Sequence, residues 1–138
     1  MLIVACLIGV GGWLANHYAF SFQRFTLAIA REHTDDAGTI QRLQTMMSPP
    51  LMGAFALFGS LAKWIGAGLL WWSSGALYAG GFLALSFVAS AGVLPLFQMS
   101  GKFATLANRE VARHMLENPD AAARLLVSIM KAKTAGIS

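Results

Sequence analysis

The chain has 138 residues, of which 57% are hydrophobic and 12% are charged, with a net charge of +4. A water-soluble domain carries about a quarter charged residues, so this composition leaves too few polar side chains to cover a soluble surface. The basic residues flank apolar segments, which favours attraction to an anionic inner leaflet over binding to nucleic acid. Cys6 is the only cysteine, so an intrachain disulfide is excluded.

Three apolar segments are long enough to cross a bilayer as α-helices: residues 2–20, 51–72 and 75–97. At a rise of 1.5 Å per residue, about twenty residues reach across a hydrocarbon core of about 30 Å. The first segment has no basic n-region and no clear cleavage site, so we interpret it as a retained membrane helix rather than a signal peptide.

The loop 21–50 is polar but keeps helical spacing at both ends. This spacing predicts that the first helix continues to about Arg31 and is followed by a turn near 33–38. One short amphipathic helix then ends at Pro49. Between the second and third segments, only Ser73-Ser74 intervenes, which predicts a tight helical hairpin.

The tail 98–138 predicts two further amphipathic helices. The second begins at Asn118-Pro119, where Asn is expected to cap the free amides and Pro occupies the first helical position. The apolar stripes could lie on the membrane surface or dock into a cytoplasmic partner, and the pattern leaves both open. The residues proposed for this docking are Phe103, Leu106, Leu125 and Leu126.

Orientation follows from the basic residues, of which all but Lys63 lie in 21–50 or 98–138. The positive-inside rule places both of these segments in the cytoplasm. The sequence therefore predicts an all-α, multi-pass protein of the cell inner membrane, with three spans, an outer N-terminus and a cytoplasmic C-terminus.

Lys63 falls near the middle of the second span, where a charge costs at least about 2.5–3.5 kcal/mol. No Asp or Glu occurs between Asp36 and Glu110 to offset it. Lys63 could contact a carboxylate of a partner subunit, a water path or a bound anion. Alternatively, its stem could snorkel toward the outer interface near Trp71.

Small residues recur at four-residue spacing in the second and third spans, a pattern that lets membrane helices approach closely. This spacing predicts packing within the hairpin or against another subunit. The residues are Ala62 and Gly66 in the second span, and Ala76, Gly80, Ala84, Gly92, Ser86 and Ser90 in the third. An aromatic belt at the outer surface is predicted from Trp71, Trp72 and Tyr78.

The three histidines raise the question of haem or metal. Only His17 belongs to a span, and His33 lies in an acidic turn typical of a solvated loop, so we expect no cofactor and no metal site. Gly9-x-Gly11-Gly12 lies inside a span rather than after a strand, so it is no dinucleotide fingerprint. No nucleophile motif or phosphate loop is evident, and we expect no enzymatic activity.

The pattern as a whole favours a non-catalytic accessory or structural subunit of an inner-membrane complex, held by the bilayer and by partner subunits or self-association. One alternative is a homo-oligomeric pore or transport protein, with Lys63 or the pair Ser86 and Ser90 facing water. Another is a haem- or quinone-binding anchor of a redox complex. The layout resembles that of one class of phage holin and of small proton-channel stator subunits, in topology only.

Overall fold

The computed structural model describes residues 1–99 and 101–137. Within these ranges the chain forms six α-helices and no strand, which confirms the prediction of an all-α fold. The helices are α1 (Leu2–Arg31), α2 (Ala37–Met47), α3 (Pro50–Ser74), α4 (Ala76–Met99), α5 (Gly101–Glu117) and α6 (Pro119–Ile137).

The chain divides into two compact units. Residues 1–20 and 51–101 form the first, which we call the apolar unit. Residues 21–50 and 102–138 form the second, the amphipathic unit. Helix α1 contributes to both, because it continues without interruption to Arg31, as the spacing predicted.

In the apolar unit, α1 and α3 meet along a line of mostly small residues, which we call the α1–α3 seam. On α1 the buried positions recur at alternating spacings of four and three residues, the repeat of one helix face. They are Ala5, Gly9, Gly12, Asn16 and Ala19. On α3 the buried positions that continue this face are Met52, Gly59, Gly66 and Leu70.

Glycine allows the two backbones to touch at this seam. A Cβ built on Gly66 would lie 2.5 Å from the Cα of Gly9, and one built on Gly12 would lie 2.5 Å from the backbone N of Lys63. A Cβ on Gly59 would lie 2.6 Å from the backbone N of Asn16. Such close approach through small residues is how helices associate in lipid, where burial of apolar surface gives no driving force.

The turn between α3 and α4 consists of one residue, Gly75, whose φ of +94° lies in the left-handed region that favours glycine. The sequence assigned this role to Ser73-Ser74, but both serines lie in the last turn of α3. The amide of Gly75 donates to the carbonyl of Trp71 (2.9 Å), so glycine at this position closes α3.

The amphipathic unit is built on α2, whose buried Leu43 and Met47 confirm the predicted short helix. Together with Ala30 of α1 they form a core, against which half-buried side chains of α5 and α6 pack. Those side chains are Val111, Leu125 and Ile129. Asp36 caps α2, because its Oδ2 accepts the amide N–H of Thr39 at 2.8 Å.

Helix α6 begins at Pro119 as predicted, but Asn118 acts differently from the expectation. Its side-chain amide donates backward to the carbonyl oxygen of His114 (3.1 Å), at the end of α5. The amides of Ala121 and Ala122 instead bond to the backbone carbonyl of Asn118 (3.0 and 3.1 Å). Asn118 therefore closes one helix with its side chain and opens the next with its main chain.

Two helices, α1 and α3, are long and apolar enough to cross a membrane. In α4, the apolar stretch within the described residues is shorter, Ala76–Gly92. Only 22% of each apolar window of α1 and α3 is buried, so neither resembles the interior helix of a soluble protein.

Candidate functional site

A set of polar side chains lies among the apolar helices of the first unit, and we call it the polar cluster: Trp13, Asn16, His17 and Ser90, together with Lys63, whose backbone lies against Gly12. Three of its members lie within one and a half turns of α1 and face both neighbouring helices. Polar side chains among apolar helices are costly to bury, so such a cluster is the first place to look for a function.

Ser90 is the meeting point of the cluster. The indole N–H of Trp13 donates to Ser90 Oγ at 3.2 Å, and Nε2 of His17 lies 2.7 Å from the same oxygen. Ser90 also bonds to the backbone carbonyl of Ser86, at 2.6 Å. The rings of Trp13 and His17 contact each other edge to face at 4.8 Å, so α1 presents them to α4 as one unit.

The protons at Ser90 can be assigned by counting, because a hydroxyl donates once and accepts twice. Trp13 can only donate to Ser90, and the carbonyl of Ser86 can only accept from it. All three bonds are satisfied when the Ser90 proton goes to Ser86 and Nε2 of His17 carries its own proton. The geometry thus selects one form of His17, in which Nε2 is protonated.

Asn16 joins α1 to α3. It is 9% exposed, and its side-chain amide donates to the backbone carbonyl of Ala56 at 2.9 Å. Tyr18 and Phe55 add an edge-to-face contact nearby, with ring centroids 6.4 Å apart. The hydrogen bonds of the cluster therefore hold α1 to both α3 and α4.

Lys63 lies on the same face of α3 as Gly59 and Gly66, and its backbone is against Gly12. Its Nζ lies 5.3 Å from the centroid of the Trp64 ring, a cation–π contact with an outward-facing indole. Among the described residues, Lys63 has no ion pair.

A Ser–His contact of 2.7 Å has the geometry of a nucleophile and its base, so catalysis has to be considered. Such pairs also need a third group to orient the base, usually a carboxylate. The sequence places no Asp or Glu in residues 1–31 or 37–109. Ser90 Oγ is also bonded to Trp13 and to the carbonyl of Ser86, so these hydrogen bonds link α4 to α1.

Beside the cluster, a cleft of about 210 Å³ separates α1 from α4. It is lined almost entirely by apolar side chains, with Trp13 and Ser86 at its polar edge. Its volume is below the range of about 300–1,000 Å³ that holds small-molecule ligands.

The predicted packing residues fall into two groups. In the first group, Ala62 and Gly66 lie at the α1–α3 seam. Ser90 bonds to His17 of α1, whereas Ser86 donates to the carbonyl of Phe82 in its own helix. The small-residue row of α4 faces outward, and a Cβ at Gly80 or Gly92 would meet nothing within 4 Å. This exposed row consists of Ala76, Gly80, Ala84 and Gly92.

The aromatic residues at the hairpin turn are all exposed: Trp71 by 66%, Trp72 by 89% and Tyr78 by 57%. Of the four residues proposed for docking in the tail, Phe103 is 3% exposed and Leu125 packs on the core of the amphipathic unit. Both side chains therefore pack inside the unit, and docking of the tail stays a prediction. Leu106 and Leu126 remain at the surface.

His33 lines a second cavity of about 730 Å³, in the amphipathic unit, where Arg31, Arg42 and Lys131 mix with acidic residues of the turn. Hydrogen bonds from Thr39 hold the pKa of Asp36 below its usual value. Among the described residues no three His, Cys, Asp or Glu side chains converge as a metal site would require.

Sequence reasoning did not single out Trp13 or Asn16, and it considered His17 only as a possible haem or metal ligand. A signal existed, since Trp13 and His17 lie four residues apart on one helix face, as do Ser86 and Ser90. Which of these faces would meet could not be read from spacing. Comparison with protein families, with curated proteins and with solved structures returns no match for this chain.

Proposed function

We propose that the chain is a three-span protein of the cell inner membrane that serves as a non-catalytic subunit of a membrane assembly. The observation that carries the membrane part is the exposure of α1 and α3, whose apolar windows are only 22% buried. Large side chains such as Ile3, Phe58 and Trp64 are more than half exposed. In water, an apolar surface of this extent would aggregate, whereas lipid covers it at no cost.

Helix α4 is assigned as the third span, because residues 76–99 contain no charged side chain. Its exposed large residues include Leu85, Phe87 and Val88, each at least 70% exposed. Three spans place the basic loop and the basic tail on the same side of the membrane, which is the arrangement that the positive-inside rule requires.

The subunit role is supported by two features of the apolar unit. The exposed small-residue row of α4 offers the close approach that another helix needs, while the seam glycines are already used within the chain. Lys63 has no ion pair in the described chain, so a carboxylate of a neighbouring subunit would offset its cost in the membrane.

The polar cluster favours this role over a pore. A pore needs polar side chains that face water, but the hydroxyls of Ser86 and Ser90 bond to carbonyls of α4, and Ser90 also bonds to α1. These bonds fix the helices to one another and leave little polar surface for an ion path.

Two measurements test the proposal. Membranes containing the protein are washed with alkaline carbonate, and the protein is expected to stay in the pellet; release into the supernatant would contradict membrane insertion. Intact mass after purification in mild detergent is expected to show bound partner subunits, and a homomeric series alone would favour the pore.

A matched pair of variants tests the surface of α4. Gly80→Leu fills the exposed row, whereas Gly81→Leu places the same bulk on the next face of the same helix; both glycines have open space around them. We expect Gly80→Leu to lose the partner and Gly81→Leu to keep it. Equal behaviour of the two variants would refute the assignment of this row.

A further inference from the structure

Helix α6 carries two apolar faces, of which the amphipathic unit uses only one. Leu125 and Ile129 pack on the core. Leu126, Val127 and Met130 are exposed by 61%, 50% and 62%. At 100° per residue, the exposed residues centre roughly 130° around the helix from the buried ones. With Ala123, they form a stripe of four residues, which we call the α6 stripe.

Basic side chains border the α6 stripe on both sides. Arg124 and Lys131 lie along one edge and Lys133 along the other, and all three are exposed. Asp120, at the start of α6, is the only acidic residue of the helix. The described part of the chain offers no ion pair to any of these three cations.

We propose that the α6 stripe lies in the headgroup region of an anionic lipid bilayer, with Leu126, Val127 and Met130 inserted and the three basic side chains on lipid phosphates. An apolar stripe bordered by Lys and Arg is the pattern of helices that lie in the plane of a membrane surface. Lys131 also lines the cavity that contains Glu32, Asp35 and Asp36, but none of the three cations forms an ion pair in the described part of the chain, and acidic lipids supply that counter-charge.

Charge and size both favour lipid over a protein as the occupant. The stripe contributes four side chains along about 10 Å of helix, whereas a stable protein interface uses roughly 20–30 residues on each side. Long basic side chains at its edges can extend their stems over the apolar surface and reach phosphates on either side. The inference rests on the proposed membrane location, since it assumes that the amphipathic unit lies beside a bilayer.

The test uses the full chain in a Cys6→Ala background, reconstituted in vesicles and labelled with an environment-sensitive fluorophore at Val127→Cys. A second sample carries the label at Gln41→Cys, an exposed position on α2. In vesicles containing phosphatidylglycerol, the label at 127 is expected to shift its emission to the blue and to resist aqueous quenchers, while the label at 41 does not. Phosphatidylcholine alone should give a much smaller shift.

Charge removal sharpens the result. Replacing Arg124, Lys131 and Lys133 by Gln is expected to lower the ratio of docked to undocked protein about fivefold for each charge removed. Replacing three other exposed basic residues of the same unit, Arg24, Lys102 and Arg109, by Gln should leave the label at 127 unchanged.

Three results would overturn the inference. If the label at 127 keeps the emission of a water-exposed probe in vesicles containing phosphatidylglycerol, while the protein resists carbonate extraction, docking of the stripe is wrong and the membrane location stands. If the label is equally protected in both lipids and in detergent, the stripe is covered by protein. Extraction by carbonate would remove both the proposed function and this inference.

Discussion

Gly66→Ala is the sharpest perturbation of the apolar unit, because its new methyl group would have no space. It would point at backbone atoms of α1: the Cα of Gly9 at 2.5 Å, the N of Gly9 at 2.6 Å and the O of Ala5 at 2.9 Å. No side-chain rotation can relieve contacts with a backbone, so α1 and α3 have to move apart. Overpacking of this kind costs about 1–3 kcal/mol.

Gly68→Ala provides the matched control, since it makes the same change two residues away on α3, where nothing lies within 4 Å. Replacing a helical glycine by alanine stabilises the helix by about 0.5–1 kcal/mol. This contribution is common to both variants and cancels in their difference, which isolates the overpacking cost of about 1–3 kcal/mol.

The assay is unfolding by sodium dodecyl sulfate from mild detergent micelles, followed by tryptophan fluorescence. All four tryptophans, at positions 13, 64, 71 and 72, belong to the apolar unit, so the signal reports on that unit. Gly66→Ala is expected to unfold at lower denaturant than the wild type, and Gly68→Ala at an equal or higher concentration. Coincident curves for the two variants would mean that α1 and α3 do not touch at the seam.

Three further outcomes are expected. Ser90→Ala removes the acceptor of Trp13 and the partner of His17, so the apolar unit should lose about 0.6–1.7 kcal/mol, whereas Ser73→Ala at the hairpin should lose nothing measurable in the same titration. Nitrogen-15 NMR of labelled His17 should show a protonated Nε2, and an unprotonated Nε2 would contradict the proton count at Ser90. Because the folded-state pKa of Asp36 is lowered from 3.8, its ionised cap contributes stability above that value and loses it as the pH falls through the lower folded-state pKa. Amide exchange at Thr39 should therefore lose protection at acid pH relative to Asp36→Asn, whose cap does not titrate; parallel profiles would contradict this.

Much of the fold follows from local signals in the sequence. The ends of α1 and α2 and the start of α6 were predicted from the sequence. Apolar periodicity and turn residues determine such helix boundaries through residues only a few positions apart. The helix-closing role of Gly75 was missed, because Ser73-Ser74 has the composition of a turn and the left-handed φ of the next residue is a property of the folded chain.

The polar cluster could be predicted only in part, because it depends on which helix faces meet. His17 and Ser90 are 73 positions apart, and the residues around either one do not indicate that the two side chains are in contact. The small residues show the same limit, since equal spacing occurs in α3 and α4. In α3 the row lies at the seam, whereas in α4 it faces outward.

Lys63 could be identified from the sequence, but its contacts could not. The sequence places this charge in a predicted span with no acidic residue nearby, and the structure adds that Lys63 lies on the packing face of α3 with its Nζ 5.3 Å from the centroid of the Trp64 ring. Its position is roughly 20 Å from the start of α3 at helical rise, so either end of the helix is more than ten residues away.

The most direct test of the account is the sidedness of two single cysteines in a Cys6→Ala background, at Ser73 in the hairpin and at Gln41 in the loop. A membrane-impermeant thiol reagent is added to intact spheroplasts and to inverted vesicles. We predict that the cysteine at 73 reacts only from outside and the cysteine at 41 only from the cytoplasmic face. Reaction of both positions from the same side would contradict the three-span arrangement.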